Sequence, residues 1–136
     1  MLVNLCFLTK IKERGKEMRA SRGEIKIEEI LSEYDFNFKM EYSFPDLKST
    51  SGRLLRFDFV IFDDNDDIDF IIEYQGRQHY EPTTRYGGKK GYYQQHYNDE
   101  LKKRYCAFHG YKLVEIPYTD YEKITYEYIL KKAGII

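Results

Sequence analysis

LLRFDFVIFDDNDDIDFIIEYQGRQHY, residues 54–80, decides the fold of this chain. Its first nine residues alternate as a strand, with Leu55, Phe57, Phe59 and Ile61 expected on one face and Leu54, Arg56, Asp58, Val60 and Phe62 on the other. The acidic run 63–69 lacks the glycine and the terminal glutamate of a calcium-binding loop, so it reads as a solvated hairpin turn. In the strand that follows, Ile71, Glu73 and Gln75 share a face opposite Phe70, Ile72 and Tyr74. An antiparallel hairpin therefore sets Asp58 beside Glu73. Two adjacent carboxylates among large apolar residues need compensation: a hard divalent cation, magnesium or manganese, a retained proton, or an ion pair with Arg56. The segment ends on acid, amide and imidazole, and places His79 four residues beyond Gln75, where it either transfers a proton or packs and hydrogen-bonds.

Upstream, SRGEIKIEEILSEY opens with Ser21 as a helix N-cap and Glu24 three residues later, followed by Ile27, Ile30, Leu31 and Tyr34 on one face. Glu24 closes a capping box or points an acid into a site. FKMEYSF, residues 38–44, is expected to form a strand ending at Pro45. Residues 1–20 are expected to form an N-terminal arm ahead of a single domain over 21–136, and their apolar run is too short to cross a bilayer.

Downstream, Arg85, Lys89 and Lys90 lie among glycines and tyrosines, a loop suited to phosphates and to stacking on Tyr86, Tyr92 and Tyr93, or simply solvated. A helix over about 91–109 is expected to bury Tyr97, Leu101, Tyr105 and Phe108, turn Asp99, Lys102 and Lys103 away, and stop at Gly110. YKLVEIPY, 111–118, reads as a last strand leaving the sheet at Pro117, and residues 120–132 as a closing helix. The order of elements predicts an α/β (α+β) fold, a mixed β-sheet flanked by helices.

A chain of 136 residues can bury a core without staples. Its net charge of −1 gives no general attraction to nucleic acid, so such binding has to come from local Lys and Arg clusters. Cys6 and Cys106 have neither zinc-ribbon nor disulfide-framework spacing, which fits a reducing cytoplasm, and nothing calls for a membrane.

Asp58 followed by Glu73-Tyr74-Gln75 resembles the core of the PD-(D/E)xK nucleases, of restriction-endonuclease-like fold. Glu24, Asp58, His79 in QGRQHY and Asp99 in HYNDELKKRYC resemble the active-site set of very-short-patch-repair endonucleases and EDxHD homing endonucleases, and with KLVEIPY the similarity covers roughly 21–130. The resemblance implies a Mg²⁺- or Mn²⁺-dependent endonuclease of phage or bacterial type, acting on double-stranded DNA by nicking or homing-type cleavage. It implies metal binding by Asp58, Glu73 and the Tyr74 backbone, with His79 as general base. Asp99 would orient His79 or a water, and Glu24 would position a water or second ion. Arg85, Lys89, Lys90, Lys102, Lys103 and Arg104 are the expected phosphate contacts. Phe57 stands where the family name has proline, and Gln75 where it has lysine; two distant cysteines cannot supply the structural zinc site of the patch-repair enzymes. A nuclease fold that binds nucleic acid without turnover is the alternative that Gln75 raises; a plain structural or interaction domain, with Glu24 as a cap and Asp58 paired to Arg56, is a third. A lone domain has little surface for reading a long site, so a homodimer or a separate DNA-recognition partner is expected.

Overall fold

The computed structural model describes residues 21–136; the expected arm over 1–20, with Cys6, lies outside the described residues. Helix α1 (Arg22–Glu33) leads into three antiparallel strands, β1 (Asn37–Lys48), β2 (Leu54–Phe62) and β3 (Ile68–Gln75). Short 3-10 turns at Arg77–His79 and Thr84–Tyr86 precede helix α2 (Gly88–His109), strand β4 (Leu113–Pro117), a 3-10 segment Tyr118–Lys123 and helix α3 (Tyr126–Lys132). The sheet order is β1-β2-β3-β4, and β4 pairs parallel to β3 from Ile71↔Leu113 to Gln75↔Pro117. This is an α+β fold, a four-stranded mixed sheet with flanking helices, as the order of elements predicted.

Each face of the sheet carries its own core. Ile27 and Leu31 of α1, with Ile124 and Ile129 near the C-terminus, cover Phe59, Ile61, Phe70, Ile72, Val114 and Ile116. On the other face Cys106 of α2 packs with Phe44, Leu47, Leu55, Phe57, Val60 and Ile71. The period-2 pattern of β3 is as expected, Ile71 and Phe70/Ile72 going to opposite cores. The acidic turn is an exposed hairpin turn, in which Asp63 Oδ1 accepts from the N–H groups of Asn65 and Asp67.

Four expectations need correction. Leu55 and Phe57 do not share a face with Phe59 and Ile61; they pack with Val60, because the alternation of β2 breaks at Asp58. Strand β1 does not end at Pro45 but runs on to Lys48 with a register irregularity after Ser43, which an edge strand tolerates since its outer amides need no partner. The closing helix begins only at Tyr126, after the 3-10 segment, and is capped by Thr125. In α2, Phe108 is 86% and Tyr97 50% exposed, while Lys102 and Asp99 face inward. The inward stripe is Gln95, Asn98, Asp99, Lys102 and Cys106, a helical spacing that is polar until its last turn because it lines a cavity before it reaches the core.

Candidate active site

The site forms where β2 and β3 part. Their last ladder pair is Phe59↔Ile72. Beyond it, side-chain oxygens replace backbone carbonyls: the Asp58 N–H donates to Glu73 Oε2 at 3.1 Å, and the Tyr74 N–H donates to Asp58 Oδ2 at 2.8 Å. Each acid thereby satisfies the backbone of the other's strand, which fixes both carboxylates without a rotamer search. On the far side of β2, Met40↔Phe59 and Tyr42↔Phe57 bracket Asp58 and leave Glu41 opposite it, at φ +51°. That left-handed conformation is costly for a residue with a Cβ, on the order of 1 kcal/mol or more, and re-aims the Glu41 side chain out of the strand's regular alternation.

Glu24 arrives from α1. Ser21 Oγ accepts from the Glu24 N–H at 3.1 Å and donates to Glu24 Oε1 at 3.1 Å, so the cap and the inward-pointing acid are one arrangement. Gly23 makes this docking possible: a Cβ there would lie 2.0 Å from the ring of Tyr74. Carboxylate oxygens of Glu24, Glu41 and Asp58 lie within 4.8 Å of one another. Burial first, then the charges of Glu73 and Glu24, push the Asp58 carboxyl well above the usual carboxylate range, against the Tyr74 N–H and Lys102.

Lys102 reaches Glu73 from α2, with its Nζ 2.5 Å from Oε1 and 5.3 Å from the centroid of Phe57. Burial alone would lower its ammonium, yet Glu73, Asp58 and Asp99 hold it above its ordinary value. His79 sits in the 3-10 turn that ends β3, its Nδ1 3.0 Å from Asp99 Oδ2 and its Nε2 3.0 Å from the side-chain nitrogen of Gln95. These partners fit a neutral imidazole that donates from Nδ1 and accepts at Nε2. His96 Nε2 donates to the His79 carbonyl at 2.7 Å and fixes the turn. Glu24, Asp58, Glu73, His79, Asp99 and Lys102 all line one cavity of about 300 Å³.

Several expected site residues stand elsewhere or act otherwise. Gln75 turns away from the acids: its amide donates to Glu115, and its oxygen accepts from Tyr80 at 2.8 Å. Arg56 is exposed and is not the ion-pair partner of Asp58. Of the expected metal ligands, Glu73 is taken by Lys102 and the Asp58 amide, and Tyr74 contributes its N–H to Asp58. Lys102, expected on a phosphate, is in the cavity wall. Lys103 and Arg104 are outside it, in exposed ion pairs with Glu115 at 3.7 Å and Glu100 at 3.8 Å. Arg85, Lys89 and Lys90 are exposed around the start of α2.

Sequence reasoning missed Glu41, Gln95 and the inward turn of Lys102. Glu41 shares its alternation phase with Lys39 and Ser43, the solvated phase of the strand, and only its positive φ redirects it. Lys102 was legible, since it lies three residues from Asp99 and four from Cys106, on the face that both define.

No family model matches this chain, and no solved structure matches it. It is similar to three viral proteins. Over 108 residues it is 32% identical to the uncharacterized protein 033L of Invertebrate iridescent virus 3, covering 77% of this chain and 53% of that protein. Over 89 residues it is 35% identical to the uncharacterized protein 307L of Invertebrate iridescent virus 6, covering 64% of this chain and 45% of that one. Over 50 residues it is 48% identical to the uncharacterized protein 094L of Frog virus 3 (isolate Goorha), covering 35% and 32%. The chain thus spans about half, or less, of the length of the curated relatives it matches.

Proposed function

We propose that this chain is a Mg²⁺- or Mn²⁺-dependent endonuclease that hydrolyses a phosphodiester of double-stranded DNA in the cytoplasm of a host cell. The observation that carries this reading is the convergence of Glu24, Glu41 and Asp58, two of which, Glu24 and Asp58, line a cavity that also presents a His79–Asp99 pair and the Lys102 ammonium. The donors fit a hard divalent cation: three carboxylates from three different elements meet, and burial with the charges of Glu73 and Glu24 holds the Asp58 carboxyl above the usual carboxylate range. Glu24, Glu41 and Asp58 would hold the ion, which supplies Lewis-acid polarisation of a phosphate oxygen when bound.

The remaining chemistry belongs to the side chains. In hydrolysis a water oxygen bonds to phosphorus, one P–O ester bond breaks, and the leaving oxygen takes up a proton. His79 Nε2 is the proton acceptor for the water once Gln95 yields that position, and Asp99 keeps the ring in the Nδ1–H tautomer and stabilises the imidazolium that results. Lys102, fixed by Glu73, offers positive charge as negative charge builds on the phosphate, the part that Gln75 cannot play from its place against Glu115. Arg85, Lys89 and Lys90 carry the DNA backbone, in a homodimer or beside a separate recognition partner.

Supercoiled plasmid incubated with Mg²⁺ or Mn²⁺ tests this directly. Metal-dependent nicking by the wild type, lost by at least about 100-fold in both Asp58→Ala and His79→Ala, supports the enzyme. DNA binding without nicking, unchanged by Asp58→Ala, would falsify it in favour of a binding module.

A further inference from the structure

A second cavity, of about 350 Å³, opens beside the carboxylates and shares Glu24, Tyr74 and Gln78 with the first. Its other wall is Arg85 and Tyr86. The Tyr86 ring is 51% exposed, with the Arg85 guanidinium 5.7 Å from its centroid. Its backbone, in contrast, is held tightly. The Tyr86 N–H donates to Thr83 O at 3.1 Å, Gly87 follows at φ +87°, and the first turn of α2 presses so close that a Cβ on Gly91 would lie 1.8 Å from the Tyr86 carbonyl oxygen. A large ring left in solvent on a fixed backbone is a platform, since little conformational freedom remains to be lost when something stacks on it.

The opposite wall is built with similar economy of space. Gly76 has φ −68°, which any residue adopts, and the Gln78 side-chain end fills the space beside it, with Oε1 2.6 Å from where a Cβ would stand. The Gln78 amide folds back between the two cavities, where it presents both a donor and an acceptor. A ring face, an amide and a guanidinium around one space match a base, its hydrogen-bonding edge and its phosphate. The volume lies near the small end of the roughly 300–1,000 Å³ of small-molecule sites, enough for one nucleoside and too little for a base pair. A base stacked and paired within a duplex cannot reach it.

We propose that this cavity is a subsite for one unpaired nucleotide adjoining the phosphate to be cut, so that DNA carrying a bulged or single-stranded nucleotide is favoured over continuous duplex. The adjoining phosphate rests on the nuclease reading above; the nucleotide subsite rests on the cavity itself.

The test is a duplex with a single bulged 2-aminopurine, titrated with protein in Ca²⁺, against the same duplex fully paired. The wild type should bind the bulged duplex about tenfold more tightly and quench its fluorescence, while Tyr86→Ala and Arg85→Ala lose the preference and Tyr86→Phe keeps it. Equal affinity of the wild type for both duplexes, or a preference that survives Tyr86→Ala, overturns the subsite. Plasmid nicking with no preference for the bulge likewise rejects the subsite and leaves the nuclease reading standing. A Tyr86-dependent bulge preference without any nicking upholds the subsite and counts against the nuclease.

Discussion

Lys102 and Glu73 form an ion pair between the middle of α2 and the end of β3, each side chain less than one-sixth exposed. The pair ties the helix to the strand at the point where β3 leaves its ladder with β2. Removing one partner leaves the other charge without compensation in a poorly solvated wall. Lys102→Met is expected to cost roughly 3 kcal/mol, near the low end for breaking a buried pair. Adding Glu73→Gln should recover at least half of that loss. Urea unfolding midpoints of the two single variants and the double variant check this; additive losses would show that the pair is not coupled.

Asp58 gives a pH dependence of definite sign. Its folded carboxyl is held above the unfolded value by burial and by Glu73 and Glu24. Its contribution to stability is therefore fully present below the unfolded carboxylate pKa of about 3.9 and is lost as pH rises through the raised folded value. Metal-free Asp58→Asn should accordingly melt several degrees above the wild type at pH 7, at about 3–6 °C per kcal/mol, with the advantage fading toward pH 4. Millimolar Mg²⁺ should stabilise the wild type and not the variant. Melting curves across pH, with and without Mg²⁺, settle the sign.

On the proposed mechanism, Asp99 is expected to act through His79 and not through the fold. Asp99→Asn keeps the shape but no longer favours the Nδ1–H tautomer, so nicking should fall on the order of 100-fold and its pH profile should change. The melting temperature should hardly move. Unchanged nicking with an unchanged profile would remove Asp99 from the mechanism.

Gly23 is a test of how α1 reaches the site. A methyl group at this position overlaps the Tyr74 ring, so Gly23→Ala should cost about 1–3 kcal/mol, as overpacking does, and displace the neighbouring Glu24. Tyr74→Leu in the same chain should relieve most of it. Chemical denaturation of the two variants distinguishes this clash from a helix-propensity effect, which would favour alanine.

Arg56 supplies the opposite expectation. It is exposed and does not pair with Asp58, so Arg56→Ala should change stability by no more than about 0.5 kcal/mol. A larger loss would restore the ion pair that the strand pattern had offered.

The hairpin, the parity of β3 and the Gly110 stop were legible because each depends on local chemistry: alternation, turn composition, and a left-handed terminal residue with φ +71°. So were the acids Glu24, Asp58 and Glu73 as inward-facing groups. What escaped was what neighbouring strands impose. The change of face at Asp58 and the re-aimed Glu41 arise from a distortion shared by β1 and β2, and no periodicity within either strand contains it. In α2 half of the apolar stripe held, since Leu101 and Tyr105 pack against the core, and half misled, because the face toward the cavity is polar. Tyr97 and Phe108 supplied hydrophobic spacing on a side that faces water. The residues expected to be solvated turn inward instead, Lys102 to Glu73 of the sheet and Asp99 to His79 of the 3-10 turn.

The parallel pairing of β4 with β3 gives α2 a second task. As the connection between two parallel neighbours, α2 must cross the sheet before the last strand can dock, and that same crossing delivers Asp99 to His79 and Lys102 to Glu73. The connection that completes the sheet therefore also carries residues that complete the site: the β1–β3 meander by itself holds Asp58 and Glu73 without Lys102 and Asp99.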